Sequence, residues 1–433
     1  MLMKMRRILS LALAFFLLVP LVSCAQSSTL SATDPVEIVS GTAETGGGTK
    51  TADSKELPSY ALRENASPDQ LRAMAVKAMR DMLTVKWTPS QAFKYYKMSG
   101  TAQDMSINFE KGKLYAGLPY TAAGTSLFHF FEYYDPKTGV LNAKTFQSGS
   151  LDEILGNSAA SCIFWSWSSV CASVSGQSTS SFVYANGCLP VGPYTYDFSI
   201  NAFAEGNTTL QICEDNGQEL MYQSYAEVKP ADGLVFVNFY EGHAAMAVDE
   251  AHVVKDAAGK INGEESYILI QEQVFQGLEA PTVSAEDPNA ATFGSLDKKM
   301  TFSALFEKKY LPVTTAEFLG QASYQKPAVT YVPIESGETR AAVGAGRLQS
   351  SFQIISVTVL VTGQDGKEAV NRKKVLDREA IRDGSGLDYD LSAMRLEDFL
   401  KRKLAEGQSY RYEVKVLTAT GETFTPVAFD FTA

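Results

Sequence analysis

Few side chains in this 433-residue sequence can carry nucleophile-and-base chemistry. It holds three histidines, His129, His243 and His252, and five cysteines, Cys24, Cys162, Cys171, Cys188 and Cys213. A cysteine attacks as its thiolate, which a helix N-terminus favours through its dipole and free N–H groups. An imidazole then takes and returns the proton, and a third polar group holds its tautomer. The pool of candidates is small. His129 lies in Leu127-Phe128-His129-Phe130-Phe131, an aromatic stretch that reads as packed core. His252, in Glu250-Ala251-His252-Val253, reads as surface or strand edge. His243 opens an apolar run and is the histidine best placed for chemistry. No Cys-x-x-Cys pair suggests zinc, and no phosphate loop, calcium loop or paired-carboxylate motif is present. No cofactor or metal is expected. Trp87, Trp165 and Trp167 read as core rather than as a sugar platform.

The elements that would position these residues come next. Ser67-Pro68-Asp69-Gln70 has the form of a helix start with a capping box. Leu71, Met74, Ala75, Ala78, Met79 and Met82 follow at helical spacing. A second short helix is expected from Ser90, after Pro89. Residues 159–170 are apolar and aromatic enough for a buried helix. Residues 234–239, 244–248 and 267–270 read as strands, with turns at Glu110-Lys111-Gly112 and at 256–259. That order, a helical half and then a sheet half, predicts an α+β domain over 67–328. Composition loosens over 329–345, a linker. Residues 346–433 show alternating strands at 356–361 and 410–416, turns at Asp365-Gly366 and Thr420-Gly421, and a helical face of Leu396, Phe399, Leu400 and Leu404 ended by Gly407. They predict a small all-β, immunoglobulin-like sandwich.

Three segments of the middle region occur in a telling order. Gly117-Leu118-Pro119-Tyr120 comes first. Gly156-Asn157-Ser158-Ala159-Ala160-Ser161-Cys162-Ile163-Phe164-Trp165 comes second. Pro230-Ala231-Asp232-Gly233-Leu234-Val235-Phe236 follows, running on to Gly242-His243-Ala244. The pattern resembles the NlpC-type, papain-like cell-wall cysteine peptidases. Those carry Gly-x-Pro-Tyr, then Asp-Cys-Ser-Gly opening a buried helix, then Pro-Gly-Asp before a strand and Gly-His opening the next. The resemblance covers about half the chain. It implies a helical half packed on an antiparallel sheet, a substrate-side place for Tyr120, and His243 as the base. It also implies a polar third residue on a later strand, with Glu272 the choice and Gln271 or Gln273 the alternatives.

The sequence departs from that pattern at the nucleophile. Aligned without gaps, Ser158 takes the usual Asp position and Ala159 takes the cysteine position. Cys162 then falls on the core face as a small buried hydrophobe. The other register makes Cys162 the nucleophile but puts Ile163 and Phe164 where the family has small residues. The gapless register implies a degenerate domain that binds peptidoglycan or peptide without cutting it. The other implies an active hydrolase of stem peptides built on Cys162, His243 and Glu272. A third expectation is a non-enzymatic lipoprotein that acts through its C-terminal sandwich.

The N-terminus bears on location. Lys4, Arg6 and Arg7 precede an apolar stretch over 8–21, which ends in Leu21-Val22-Ser23-Cys24. This has the form of a lipoprotein signal over 1–23, with Cys24 carrying the lipid and anchoring the protein outside the cell membrane. Residues 24–66, rich in Ser, Thr, Gly and Ala, read as a flexible tether. The whole chain has formal charge −11 from 38 basic and 49 acidic residues; removing the signal leaves 35 basic and a charge of −14. That balance excludes nucleic acid as a partner and leaves cell-wall peptide or peptidoglycan. Export permits disulfides among the other four cysteines but fixes no pairing.

Overall fold

A computed structural model describes residues 57–98, 104–144, 155–174, 176–184, 187–197, 199–277, 279–334, 337–382 and 384–433. The expected signal, Cys24 and most of the expected tether lie outside the described residues. The fold is mixed α+β with largely antiparallel sheets. Among the described residues no helix is long and apolar enough to cross a membrane.

Helix α1 (Pro68–Thr84) begins as its sequence dictates. Gln70 N donates to Ser67 Oγ, and Ser67 N donates to Gln70 Oε1 at 2.9 Å. Its apolar stripe, Leu71 through Met82, is buried. The helix expected from Ser90 does not form. Strand β1 (Lys86–Pro89) buries Trp87, whose indole donates to Gly117 O at 2.8 Å. Ser90 Oγ accepts from Ala143 N, and β2 (Phe93–Met98) pairs with β3 (Asp104–Phe109). The core demand of Trp87 outweighs the local Pro-Ser start signal. Around β1 lie β4 (Tyr115–Ala116), β5 (Tyr134–Asp135) and β6 (Val140–Leu141), with the short helix α2 (Leu127–Phe131) beside them. The first half is thus not purely helical.

The centre of the molecule is a six-stranded antiparallel sheet. It comprises β7 (Cys188–Pro190), β8 (Gly233–Val237), β9 (Gly242–Ala247), β10 (Tyr267–Gln273), β11 (Gly294–Thr301) and β12 (Leu311–Thr315). Their order is β11-β10-β9-β8-β12-β7. On one face lie α1, α3 (Ala159–Ser168) and α4 (Thr179–Tyr184). There Ser166 donates to Ala75 O and reaches Met246 Sδ, and Trp167 donates to Ala231 O. The other face carries α6 (Thr209–Ala226), which follows the short helix α5 (Ile200–Ala204), and α7 (Phe302–Glu307). There Tyr225 of α6 donates to Tyr310 O and packs on Phe302.

The C-terminal region is built from β13 (Val329–Val332), β14 (Arg347–Ser350), β15 (Ile354–Gly363), β16 (Glu368–Val375), helix α8 (Arg378–Arg382), β17 (Asp388–Asp390), helix α9 (Glu397–Lys403), β18 (Ser409–Thr418) and β19 (Thr423–Thr432). Two antiparallel sheets, β13-β14-β17 and β16-β15-β18-β19, enclose a second core that includes Leu348, Val357, Val359, Tyr389, Val414 and Phe429. β13 lies inside the stretch expected as linker, because Tyr331 and Val329 pack on this core while pairing with β14. The region is not detached. Ile355 and Ala419 belong to the larger core, and Tyr60 N donates to Thr420 O.

Candidate functional site

The start of α3 is fixed by its backbone. Gly156 has φ +111°, and a Cβ there would stand 2.4 Å from Pro119 O, so only glycine fits. Asn157 N donates to Pro119 O and Thr121 N to Asn157 O. The Gly-x-Pro-Tyr segment is therefore laced to the helix entry, with Tyr120 buried and 6.1 Å from the Phe275 ring. Ser158 caps the helix, its amide donating to Ser161 Oγ at 2.7 Å. Ala159 is the first helical residue, and every residue of α3 is buried.

Cys162 stands one turn further in, with no exposed surface. Burial pushes its thiol far above the usual range, against a smaller opposing pull from the Asn157 hydrogen bond. Cys171 is raised the same way. Burial pushes Cys188 and Cys213 up to about 12. All four described cysteines are free and buried. None is held as a thiolate.

His243 opens β9 and Glu272 lies on β10. His243 Nε2 is 2.7 Å from Glu272 Oε2, and Lys298 Nζ donates to Glu272 Oε1 at 2.8 Å. Both members of the first pair are buried. Burial acts to raise the Glu272 pKa, but the His243 hydrogen bond and the His243 and Lys298 charges outweigh it and hold the carboxyl at about 2. Tyr310 stacks edge-on to His243, its hydroxyl raised by burial and by the charges of Glu272 and Glu241. Of the alternatives to Glu272, Gln271 donates to Val76 O and Gln273 to Leu118 O. Neither is the group on His243 Nε2.

Strand alternation decides what these groups can do together. Gln271 and Met246 are register partners, and both touch α1 or α3. A Cβ at Gly242 would meet Thr179 of α4 on that same face. His243 and Glu272 alternate with these residues and so project to the opposite face, beside Tyr310 and α6. The sheet lies between the imidazole and both Ala159 and Cys162. The structure brings His243 to Glu272 and brings neither to the head of α3.

Lys298 was not singled out by the sequence. It pairs with Ile270, on the face that carries Glu272, and a bulge follows it: Glu272 itself pairs with Ser295. The extra residue lies on β11, where Asp297 takes φ +52° and both its carboxylate oxygens accept from Arg80 Nη2. His129 and His252 fall as expected, the first buried and the second exposed against the Tyr267 ring. Among the described residues no cluster of His, Cys, Asp and Glu is disposed to hold a metal. Neither a family model nor any curated protein matches this sequence.

Proposed function

We propose that this protein is an extracytoplasmic lipoprotein, anchored through Cys24, whose middle domain is a degenerate papain-like relative of the NlpC-type peptidases. In this reading it binds cell-wall peptide or peptidoglycan and does not cleave it. One observation carries the loss of chemistry. The head of the buried helix bears the methyl of Ala159, and the thiol of Cys162, one turn further in, is sealed in the core and strongly disfavoured as thiolate. The placement of His243 across the sheet supports the same reading, since neither Ala159 nor Cys162 of α3 shares its face. The ligand class rests on the motif resemblance and on the acidic, exported character of the chain. The immunoglobulin-like C-terminal domain then serves as a packed partner of the middle domain.

The test combines binding with turnover. Soluble muropeptides should raise the melting temperature in a concentration-dependent way, as any ligand of the native state does. The same samples, followed by mass spectrometry, should show no cleaved amide bond. Cleavage that survives in the wild type and disappears in Cys162→Ala would overturn the non-catalytic reading. No thermal shift with any muropeptide would remove the ligand assignment.

A further inference from the structure

Cys171 and Cys188 take no part in the proposed site, yet the fold brings them to one place. Cys171 follows the last turn of α3, its amide donating to Trp167 O at 2.7 Å. Cys188 opens β7, the edge strand of the central sheet. Thr315, the last residue of β12, touches both. Cys171 Sγ lies 3.6 Å from Thr315 Oγ1. Thr315 and Cys188 are direct partners across the β12–β7 ladder, so their side chains stand on one face with Cβ atoms about 5 Å apart. That face is the one that carries α3. A Cβ at Gly233 would meet both Val313 and the Trp167 ring, and Thr315 follows Val313 by two residues along the strand.

The chain beside each cysteine is in contact as well. Gly187, at φ +100°, comes so near that a Cβ there would stand 2.7 Å from Ser173 O. Ser173 is held in turn by Glu317, whose carboxylate accepts its amide at 3.2 Å and its hydroxyl at 2.7 Å. Burial raises both thiols, and the Glu317 charge adds to each. The other two cysteines are placed apart. Cys162 lies inside α3 toward its head, bonded by Asn157. Cys213 lies on α6, across the sheet, with its Sγ 3.9 Å from Tyr310 O.

We propose that Cys171 and Cys188 are a disulfide pair, closed by exchange with a small organic disulfide as the chain folds, and that the two free thiols of this structure are its reduced form. One cysteine, as thiolate, attacks the S–S bond of the oxidant, giving a mixed disulfide and releasing one small thiol. The second cysteine attacks the protein-side sulfur of that mixed disulfide and releases the other small thiol. The oxidant's S–S bond is replaced by the protein's, and the two protons and two electrons lost by the cysteines end on the released thiols. Both thiols are sealed in the finished fold, so exchange precedes the closing of α3 on β7. The bond ties the end of α3 to the sheet edge and closes the segment that carries α4. Thiols with a raised pKa leave slowly, so the closed bond resists reduction and acts as a brace. Closing a loop of this size favours the folded state by roughly 100-fold. The brace is independent of any cell-wall ligand.

The experiment refolds the chain from residue 25 on, which keeps every described residue, out of denaturant in a mixture of oxidised and reduced glutathione. Remaining thiols are blocked with N-ethylmaleimide in denaturant, and the protein is digested with chymotrypsin without reduction. Aromatic residues separate the four cysteines: Trp165 and Trp167 precede Cys171, Phe182 and Tyr184 precede Cys188, and Tyr194 and Phe203 precede Cys213. Mass spectrometry should find the Cys171 peptide joined to the Cys188 peptide, with Cys162 and Cys213 carrying the maleimide. The linked protein should melt at a higher temperature than the same chain refolded in reduced glutathione alone. Cys188→Ala should remove both the link and the gain, and Cys213→Ala should keep both. Maleimide on all four cysteines after oxidative refolding, or a link from either residue to Cys162 or Cys213, would overturn the pairing. A link without a gain in melting temperature would overturn the brace.

Discussion

Glu272 has one carboxylate oxygen on His243 and the other on Lys298, in surroundings almost closed to water. A buried carboxylate so held is a stability element whatever its history. Replacing it by glutamine removes the counter-charge of the Lys298 ammonium and the carboxylate partner of His243, and breaking such a buried pair costs about 3–5 kcal/mol. Glu272→Gln should therefore lower the chemical-denaturation free energy by that order, and an unchanged midpoint would disprove the pairing. The sign of the pH effect follows from the carboxyl being held at about 2, below its unfolded value. Its contribution is full above about pH 4.5 and is lost as pH falls toward 2. The wild type should show this acid loss and Glu272→Gln should not. In the sequence, Glu272 stood out as a polar residue at the end of an apolar strand. Lys298 did not, because it comes from the neighbouring strand 26 residues on, where it pairs with Ile270 on the face that carries Glu272.

At the scale of elements, the sheet face matters more than the residue type. Ala159 heads a helix packed on the face that carries Gly242 and Met246, while His243 points to the other. Restoring sulfur at the helix head should then restore no thiolate–imidazole pair. Ala159→Cys should give no muropeptide hydrolysis, and His243→Ala should leave the rate of alkylation at the new thiol unchanged. A new thiol with a depressed pKa that His243→Ala abolishes would show the two groups share a face after all. The α1 helix was legible because its capping box and 3.6-residue stripe are local. β1 was misread as the approach to a helix because Pro89 and Ser90 carry a local start signal. The pairing that wins, with β4 and β6, comes from residues 28 to 52 positions away. Face assignment was the least legible feature: a one-residue change of strand register reverses it, and neither motif order nor spacing encodes that parity.

The two cores behave as one body through contacts that no local pattern announces. Gly421 reads in the sequence as a hairpin turn, and its φ of +85° serves that turn. It also seats the C-terminal sheet. A Cβ at Gly421 would lie 2.3 Å from Pro58 O and 2.8 Å from the Phe128 ring, beside the Tyr60 N to Thr420 O bond. Ile355 and Ala419 complete the apolar part of the seam. Gly421→Ala thus adds left-handed strain of about 1–2 kcal/mol to a clash with Pro58 O and the Phe128 ring that the seam must shift to relieve. Calorimetry of the wild type near pH 7 should give one transition, because the larger core includes residues from both regions. In Gly421→Ala the C-terminal β-structure should melt first, as a separate event at lower temperature. Amide exchange should rise in β15 and β18 before it rises in β9 and β10. A single transition at the wild-type temperature would mean the seam tolerates the methyl group and the two cores are joined more loosely than Pro58, Phe128 and Tyr60 imply.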